Sequence, residues 1–404
     1  MAITQLVDVE GPRPDPAALS NFESWIGHQA GTAPLTSAKN TSSLPFQRWF
    51  RFKEAFSPRF VVDALHEHAP HARTCLDPFG GSGTTAVTCQ FLGIRPTAIE
   101  VNPFLADLIE SKLASYDIEA LLASRMHVAR IVTANATTST RRASRTNKHQ
   151  LTDFFPGAPD IFVEPGRDGR WVFDASVACR IAAYRDVIDS LDYEPARRLL
   201  RVVLGSMLVS LSNVVISGKA RRYRQPSRRH TTGPQDVDAR FDDAFRNAFY
   251  DICRYRRRAE PAYTLLRGDS RELVRASELA DVVLFSPPYP NSFDYTDIYN
   301  VELWALGYLT SAGDNRALRS ATLRSHVQIK GRFDAAPPDS TSLRTRAGWR
   351  FPEKAKEGEE RSAPGDRRKN SYPWRRRSRS RQVRACLPNS GRSSGNRCRL
   401  SCVT

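Results

Sequence analysis

The run Leu76-Asp77-Pro78-Phe79-Gly80-Gly81-Ser82-Gly83-Thr84-Thr85 restricts the possible folds more than any other part of this 404-residue chain. An apolar segment ends in an acid, and three glycines follow within four residues. A helical pattern over Thr84–Leu92 then stops at Gly93, the usual place for a glycine beyond a helix end. Glycines let backbone approach a ligand closely, and the free N–H groups of a helix start favour an electronegative group. A bare Gly-x-Gly is weak, because tight turns explain it in most proteins. Here Asp77 ends one strand, and Glu100 ends the next, Pro96–Val101, where a carboxylate can accept ribose hydroxyls. Strand, glycine turn, helix and strand predict the first βαβ unit of a parallel sheet. The plain alternative, a helix cap beside a solvated acid, is disfavoured by that context.

The rest of the pattern divides around this unit. Residues 1–44 are rich in Pro, Ser, Thr and Ala and read as an extended arm; residues 45–132 carry the βαβ unit, with a short helix at about Arg59–His66 before it. Residues 133–261 read as a mostly helical insertion. It has polar loop to about 172, helices over Ala175–Ser190 and Pro195–Leu211, and a third helix with Phe241, Phe245, Phe249 and Ile252 as a core-facing stripe. Residues 262–333 return to the sheet with strands Tyr263–Leu266 and Val282–Phe285, then a helix through Ile298–Leu309. Residues 334–404 read as a basic tail without regular structure. There are no internal repeats.

A second motif ends the last of these strands: Asp281-Val282-Val283-Leu284-Phe285-Ser286-Pro287-Pro288-Tyr289-Pro290. The apolar run reads as a buried parallel strand. Prolines remove N–H donors but keep carbonyls, so Ser286-Pro287-Pro288-Tyr289 is a rigid acceptor surface suited to an amino group. Tyr289 adds an aromatic face for a planar substrate. An ordinary proline-rich strand exit explains the motif alone, but poorly beside the first.

The two motifs together resemble the S-adenosylmethionine-dependent DNA amino-methyltransferases, over roughly residues 45–113 and 262–310. The Ser-Pro-Pro-Tyr form is more typical of N4-cytosine than of N6-adenine enzymes. The resemblance implies a Rossmann-like class I methyltransferase α/β sheet with a helical insertion, incomplete at its C-terminal strands. It places Asp77, Pro78, Phe79, Gly80, Gly81, Gly83 and Thr84 against S-adenosylmethionine, with Glu100 on the ribose and Asn102 beside the adenine. Phe56, Ser57 and Pro58 resemble the segment that closes over the methionine end, and Asp269 the acid that meets the adenine amino group. The implied catalytic residues are Ser286, Pro287, Pro288 and Tyr289, acting on a flipped-out base without a metal. Double-stranded DNA is the implied partner, with a cognate restriction endonuclease as companion.

Lys219, Arg221, Arg222, Arg224, Arg228 and Arg229 crowd a twelve-residue stretch of the insertion around Tyr223 and suit DNA phosphates, a solvated loop being the rival. Phe293, Tyr295 and Tyr299 line a base pocket or simply pack in a core. His28 and the His66/His68/His71 group match no metal-ligand spacing. The net charge of +17 does not describe the whole chain, since residues 341–404 hold 18 Lys/Arg against 5 Asp/Glu. Cys75, Cys89, Cys179 and Cys253 are scattered without Cys-x-x-Cys pairs, which predicts a reducing cytoplasm rather than a disulfide frame. The longest apolar stretch, Val202–Ser217, is interrupted by Gly205, Ser206, Ser210, Ser212 and Asn213, so no membrane span is expected; nor is a secretory signal.

From about Ser342 the composition shifts abruptly to Arg and Ser, as a change of reading frame or a truncation near codons 335–350 would produce. The expected cost is an apolar outer edge on Val282–Phe285 with no neighbour. Two other functions fit parts of the pattern: an RNA base methyltransferase, and a noncatalytic DNA-binding remnant that keeps the basic cluster and tail.

Overall fold

The computed structural model describes residues 43–135, 154–217, 220–224, 232–277, 279–288, 295–322, 384–388 and 400–402. The first half starts its helices where the sequence supplies caps. A 3-10 turn at Gln47–Trp49 precedes α1 (Pro58–His68), where the Ser57 hydroxyl accepts from the Arg59 amide at 3.2 Å. After β1 (Thr74–Asp77), α2 (Thr84–Phe91) and β2 (Arg95–Glu100) comes α3 (Pro103–Leu113). Its cap, Asn102, accepts from the Phe104 and Leu105 amides at 3.0 and 3.3 Å. The insertion supplies α4 (Ile118–Ala134), α5 (Ala175–Asp189), α6 (Glu194–Leu211), β3 (Val214–Ser217), β4 (Ala220–Tyr223) and α7 (Pro234–Arg254). The chain then returns through β5 (Thr264–Arg267), α8 (Ser270–Ala276), β6 (Val282–Phe285), α9 (Tyr295–Ile298), α10 (Asn300–Ala305) and α11 (Ala312–Ala321). Two short strands, β7 (Arg384–Pro388) and β8 (Leu400–Cys402), follow.

The main sheet has the order β5-β2-β1-β6-β7-β8. Its first four strands are parallel, with Asp77 level with Ala98 and Leu76 level with Val283. Cys75, Leu76, Ala98, Ile99, Val282 and Leu284 are buried, as parallel strands covered on both faces require. This is the Rossmann-like α/β sheet expected from the sequence. From β1 the chain steps through β2 to β5 on one side, then returns to lay β6 on the other. The strand order therefore reverses at the β1–β6 boundary, and ligand crevices form outside the carboxyl ends of strands at such a point.

Three parts differ from the sequence reading. The outer edge of β6 is not left without a neighbour, because β7 pairs with it antiparallel, Val283 opposite Cys386, and β8 pairs beyond. Backbone pairing needs no apolar period, so these strands leave no mark in a tail that reads as featureless. The segment around Arg221, for which a solvated loop is only the rival reading, has regular structure that a mostly helical insertion does not anticipate. It is half of an antiparallel hairpin in which Val215 faces Arg222 and Ile216 faces Arg221. The helix expected over Ile298–Leu309 is shorter, α10 (Asn300–Ala305), ending at Leu306 before Gly307, whose φ of 74° does not continue a helix; α9 lies before it across Tyr299. Among the described residues no helix is long and apolar enough to cross a membrane.

In the insertion, α6 lies against α3, α4, α5 and α7. The aromatic stripe on α7 faces the core as its spacing predicts: Phe241 and Phe245 are buried, and Phe241 meets Tyr184 at 4.5 Å between ring centroids. Asp251, on the last turns of α7, ties the start of the described chain to this layer. It is buried and accepts from the Phe46 amide and Trp49 Nε1, each at 2.9 Å, and from Arg48 Nε at 3.1 Å. Burial pushes its carboxyl up, and the Arg48 hydrogen bond opposes that. Removing one member of such a network strands the others. Asp251→Ala should lower the unfolding free energy by about 3 kcal/mol, read from urea unfolding; an unchanged midpoint would contradict this role.

Candidate active site

The turn between β1 and α2 is shaped by what lies around it. Gly81 and Gly83 have φ of 54° and 80°, a region that side chains other than glycine's rarely adopt. At Gly80 the demand is space: a Cβ there would lie 2.7 Å from Ile109 Cδ1 of α3. The Gly80 amide donates to the Ile99 carbonyl at 2.9 Å, and the Gly83 amide closes the turn on the Gly80 carbonyl at 2.8 Å. Helix α2 starts directly after Gly83, which provides no side-chain cap, at the rim where β1 ends.

Two buried carboxylates flank the turn. Asp77 accepts from the Phe79 amide at 2.9 Å. Glu100 holds the turn from the next strand, accepting from the Gly81 amide at 2.7 Å and, on its other oxygen, from the Asn102 amide at 2.8 Å. Burial pushes Asp77 up to about 6, against the pull of the Phe79 amide and the Thr85 hydroxyl. It pushes Glu100 up to about 7, opposed by the Asn102 and Gly81 amides and reinforced by the charge of Asp77. A cation or hydroxyl donors placed beside either acid would favour its ionised form.

The second corner stands beside the first. Because β6 is the parallel neighbour of β1, Ser286, Pro287 and Pro288 leave the sheet at the same rim as Asp77-Pro78-Phe79. The rings of Phe79 and Phe285 meet at 5.5 Å between centroids. Ser286, Pro287 and Pro288 are half-buried, whereas Tyr289 and Phe293 lie outside the described residues. Phe56 and Pro58 are buried, Phe56 in the same apolar cluster as Cys75 of β1 and Val282 and Leu284 of β6.

The remaining expected residues have varied surroundings. Asp269 follows β5, on the β2 side of the sheet, and caps α8; it accepts from the Arg271 amide and Arg271 Nε, each at 2.9 Å, which holds its carboxyl below the usual range. Arg221 is ion-paired with Asp297 at 3.4 Å, and Arg224 Nε donates to the Ser212 carbonyl at 3.3 Å. Arg222 is exposed. Lys219, Arg228 and Arg229 lie outside the described residues. Tyr299 is buried, stacked on Phe52 at 5.7 Å, and its hydroxyl donates to Glu54 at 3.0 Å, which is the packing role.

Sequence reasoning missed Phe52 and Lys112. The Phe52 ring would lie 3.2 Å from a Cβ at Gly81. Lys112 is wholly buried, and its ammonium donates to the Ser82 carbonyl at 2.6 Å. The close approach demanded at Gly81 signals some large neighbour, but nothing in the sequence names which.

The chain resembles type II methyltransferases. It is 25% identical over 332 residues to the type II methyltransferase M.BsoBI of Geobacillus stearothermophilus, covering 74% of this chain and 60% of that protein. It is 36% identical over 84 residues to M.AvaI of Nostoc sp., 20% of this chain and 17% of the relative. It is 40% identical over 70 residues to M.MjaII of Methanocaldococcus jannaschii, 17% of this chain and 13% of the relative. The chain thus spans about three fifths of the length of the first relative and less of the others. No family model and no solved structure matches it.

The raised Glu100 value has a measurable sign. Below pH 4.5 both folded and unfolded chains hold the proton, and above about 7 neither does. Between these limits only the folded chain holds it, so the Glu100 contribution to stability is present at low pH and lost as pH rises through about 7. Urea unfolding across this range should show a shallower fall for Glu100→Gln than for the unaltered protein. Equal slopes would show that Glu100 does not titrate as its burial requires.

Proposed function

We propose that the chain is a site-specific DNA methyltransferase that moves a methyl group from S-adenosylmethionine to an exocyclic base amino group, N4 of cytosine in particular. The observation that carries this reading is the shared rim: the glycine turn after β1 and the diproline corner after β6 leave adjacent parallel strands, with Phe79 against Phe285. The similarity to type II methyltransferases supports the reaction class. The Ser-Pro-Pro-Tyr form supports an amino nitrogen as acceptor.

The residues around the glycine turn fit the proposed cofactor. Glu100 offers a carboxylate at the strand end and the uncapped start of α2 offers N–H groups, while Gly80, Gly81 and Gly83, whose Cβ positions Ile109 and Phe52 would block, let the turn pack closely against those side chains. When bound, S-adenosylmethionine supplies an electrophilic methyl on a good leaving group, so the protein needs no strong base.

The chain's own work is positioning. Glu100 and Asp77 accept the ligand's donors, and ionise as they do so. The target base leaves the DNA stack to enter the crevice, where Tyr289 stacks on it. Ser286 and the Pro287 carbonyl accept hydrogen bonds from the amino group and so orient it, and the proton that the nitrogen loses on methylation would leave to water. The prolines make that acceptor surface rigid before substrate arrives, and preorganisation of this kind provides much of the rate. Arg222, exposed on the hairpin, is a phosphate contact in this reading, together with Lys219, Arg228 and Arg229. Arg221 and Arg224 instead hold the hairpin in place.

Labelled S-adenosylmethionine should transfer its methyl group to unmodified duplex DNA and not to RNA. Tyr289→Ala should reduce transfer at least about a hundredfold while cofactor affinity stays within about threefold. Label in RNA alone, or none in either from folded protein that binds DNA, would overturn the reading.

A further inference from the structure

Lys112 is a wholly buried lysine, and it lies outside every role assigned above. Burial of an ammonium is costly, so a lysine with no exposed surface marks a position where its hydrogen bond matters. Its ammonium donates to the Ser82 carbonyl at 2.6 Å, thirty residues away in sequence. Asp251 is the acid whose charge favours its protonated form, but the oxygens of Asp251 already serve Phe46, Arg48 and Trp49. Arg258 covers the Lys112 backbone carbonyl and reaches Gln90 as well.

One face of α3 thus supports the glycine turn at two points. Ile109 fills the space against Gly80 and Gly83, and Lys112, three residues later on the same face, takes the carbonyl between Gly81 and Gly83. The peptide joining Ser82 to Gly83 is fixed at both ends, its oxygen on Lys112 and its N–H on the Gly80 carbonyl. The next two residues, Thr84 and Thr85, open α2 without a side-chain cap. The direction of their N–H groups follows from that peptide. The ammonium also has the same sign as the helix N-terminus, so both favour an electronegative group in the crevice.

We propose that Lys112 is a positioning residue for the cofactor: from inside the core it locks the Ser82–Gly83 peptide and thereby aims the start of α2 at the ligand. This rests on the S-adenosylmethionine reading of the same turn.

The test is the dissociation constant for S-adenosylhomocysteine, by calorimetry well below the melting temperature, in three proteins. Lys112→Met keeps the length of the side chain and removes the donor. Ile188→Ala is a core truncation on α5, which packs against α4, α6 and α7, and serves as a control for general destabilisation. Lys112→Met should weaken binding at least about tenfold, because a Ser82–Gly83 peptide no longer fixed beforehand must be ordered as the ligand binds, while Ile188→Ala and the unaltered protein bind alike. If Lys112→Met does not fold, Lys112→Gln, whose amide is too short to reach Ser82, carries the same expectation. Unchanged affinity in the lysine variant, or equal weakening in both variants, would overturn the proposal. Failure of the unaltered protein to bind the ligand at all would instead overturn the cofactor reading beneath it.

Discussion

The double pairing of β1 governs this molecule. With β2 on one edge and β6 on the other, all parallel, three strand ends come to one rim at fixed spacing. The chain reaches that arrangement only by leaving for β5 and returning across β1, which opens a crevice where the strand order reverses. The two sequence motifs, about two hundred residues apart, therefore become neighbours through backbone hydrogen bonds. The Phe79–Phe285 contact follows from the register.

Around that rim the charges are arranged in layers. Asp77 and Glu100 lie beside the glycine turn, buried enough that each is held partly protonated near neutrality. Behind the turn, Lys112 presents the opposite charge to a carbonyl, and burial pulls it down to about 7. A ligand with hydroxyl donors and a positive centre would draw the two acids into their ionised form, while the turn between them keeps its shape. Part of the binding energy of such a ligand would then go into removing protons, and its affinity would vary with pH near 7.

Much of this could be read from the sequence, for identifiable reasons. The βαβ unit announces itself because its glycines, caps and apolar runs are local: the strand expected over Pro96–Val101 is Arg95–Glu100, and Gly93 ends α2 as its position suggests. The diproline corner is legible for the same reason. The hairpin was not, because two four-residue strands with arginines on one of them carry no apolar alternation. Their fixed point, the ion pair of Arg221 with Asp297, spans seventy-six residues. Lys112 was equally hidden: in Glu110-Ser111-Lys112-Leu113 it looks like any solvated lysine, and only the depth of α3 beneath the turn reveals its partner. The buried packing of Tyr299 depends on Phe52 in the same way.

The most direct test of the account is whether one small molecule can occupy both corners. A bisubstrate analogue, with the N4 nitrogen of cytidine joined by a short tether to the sulfur position of S-adenosylhomocysteine, measures this by calorimetry. Adjacent corners predict affinity at least about a hundredfold above S-adenosylhomocysteine alone, since tethering makes the second contact intramolecular. That gain should disappear in a Ser286→Ala, Tyr289→Ala double variant. An analogue that binds no better than S-adenosylhomocysteine, or whose gain survives those substitutions, would show that the diproline corner is not the base site.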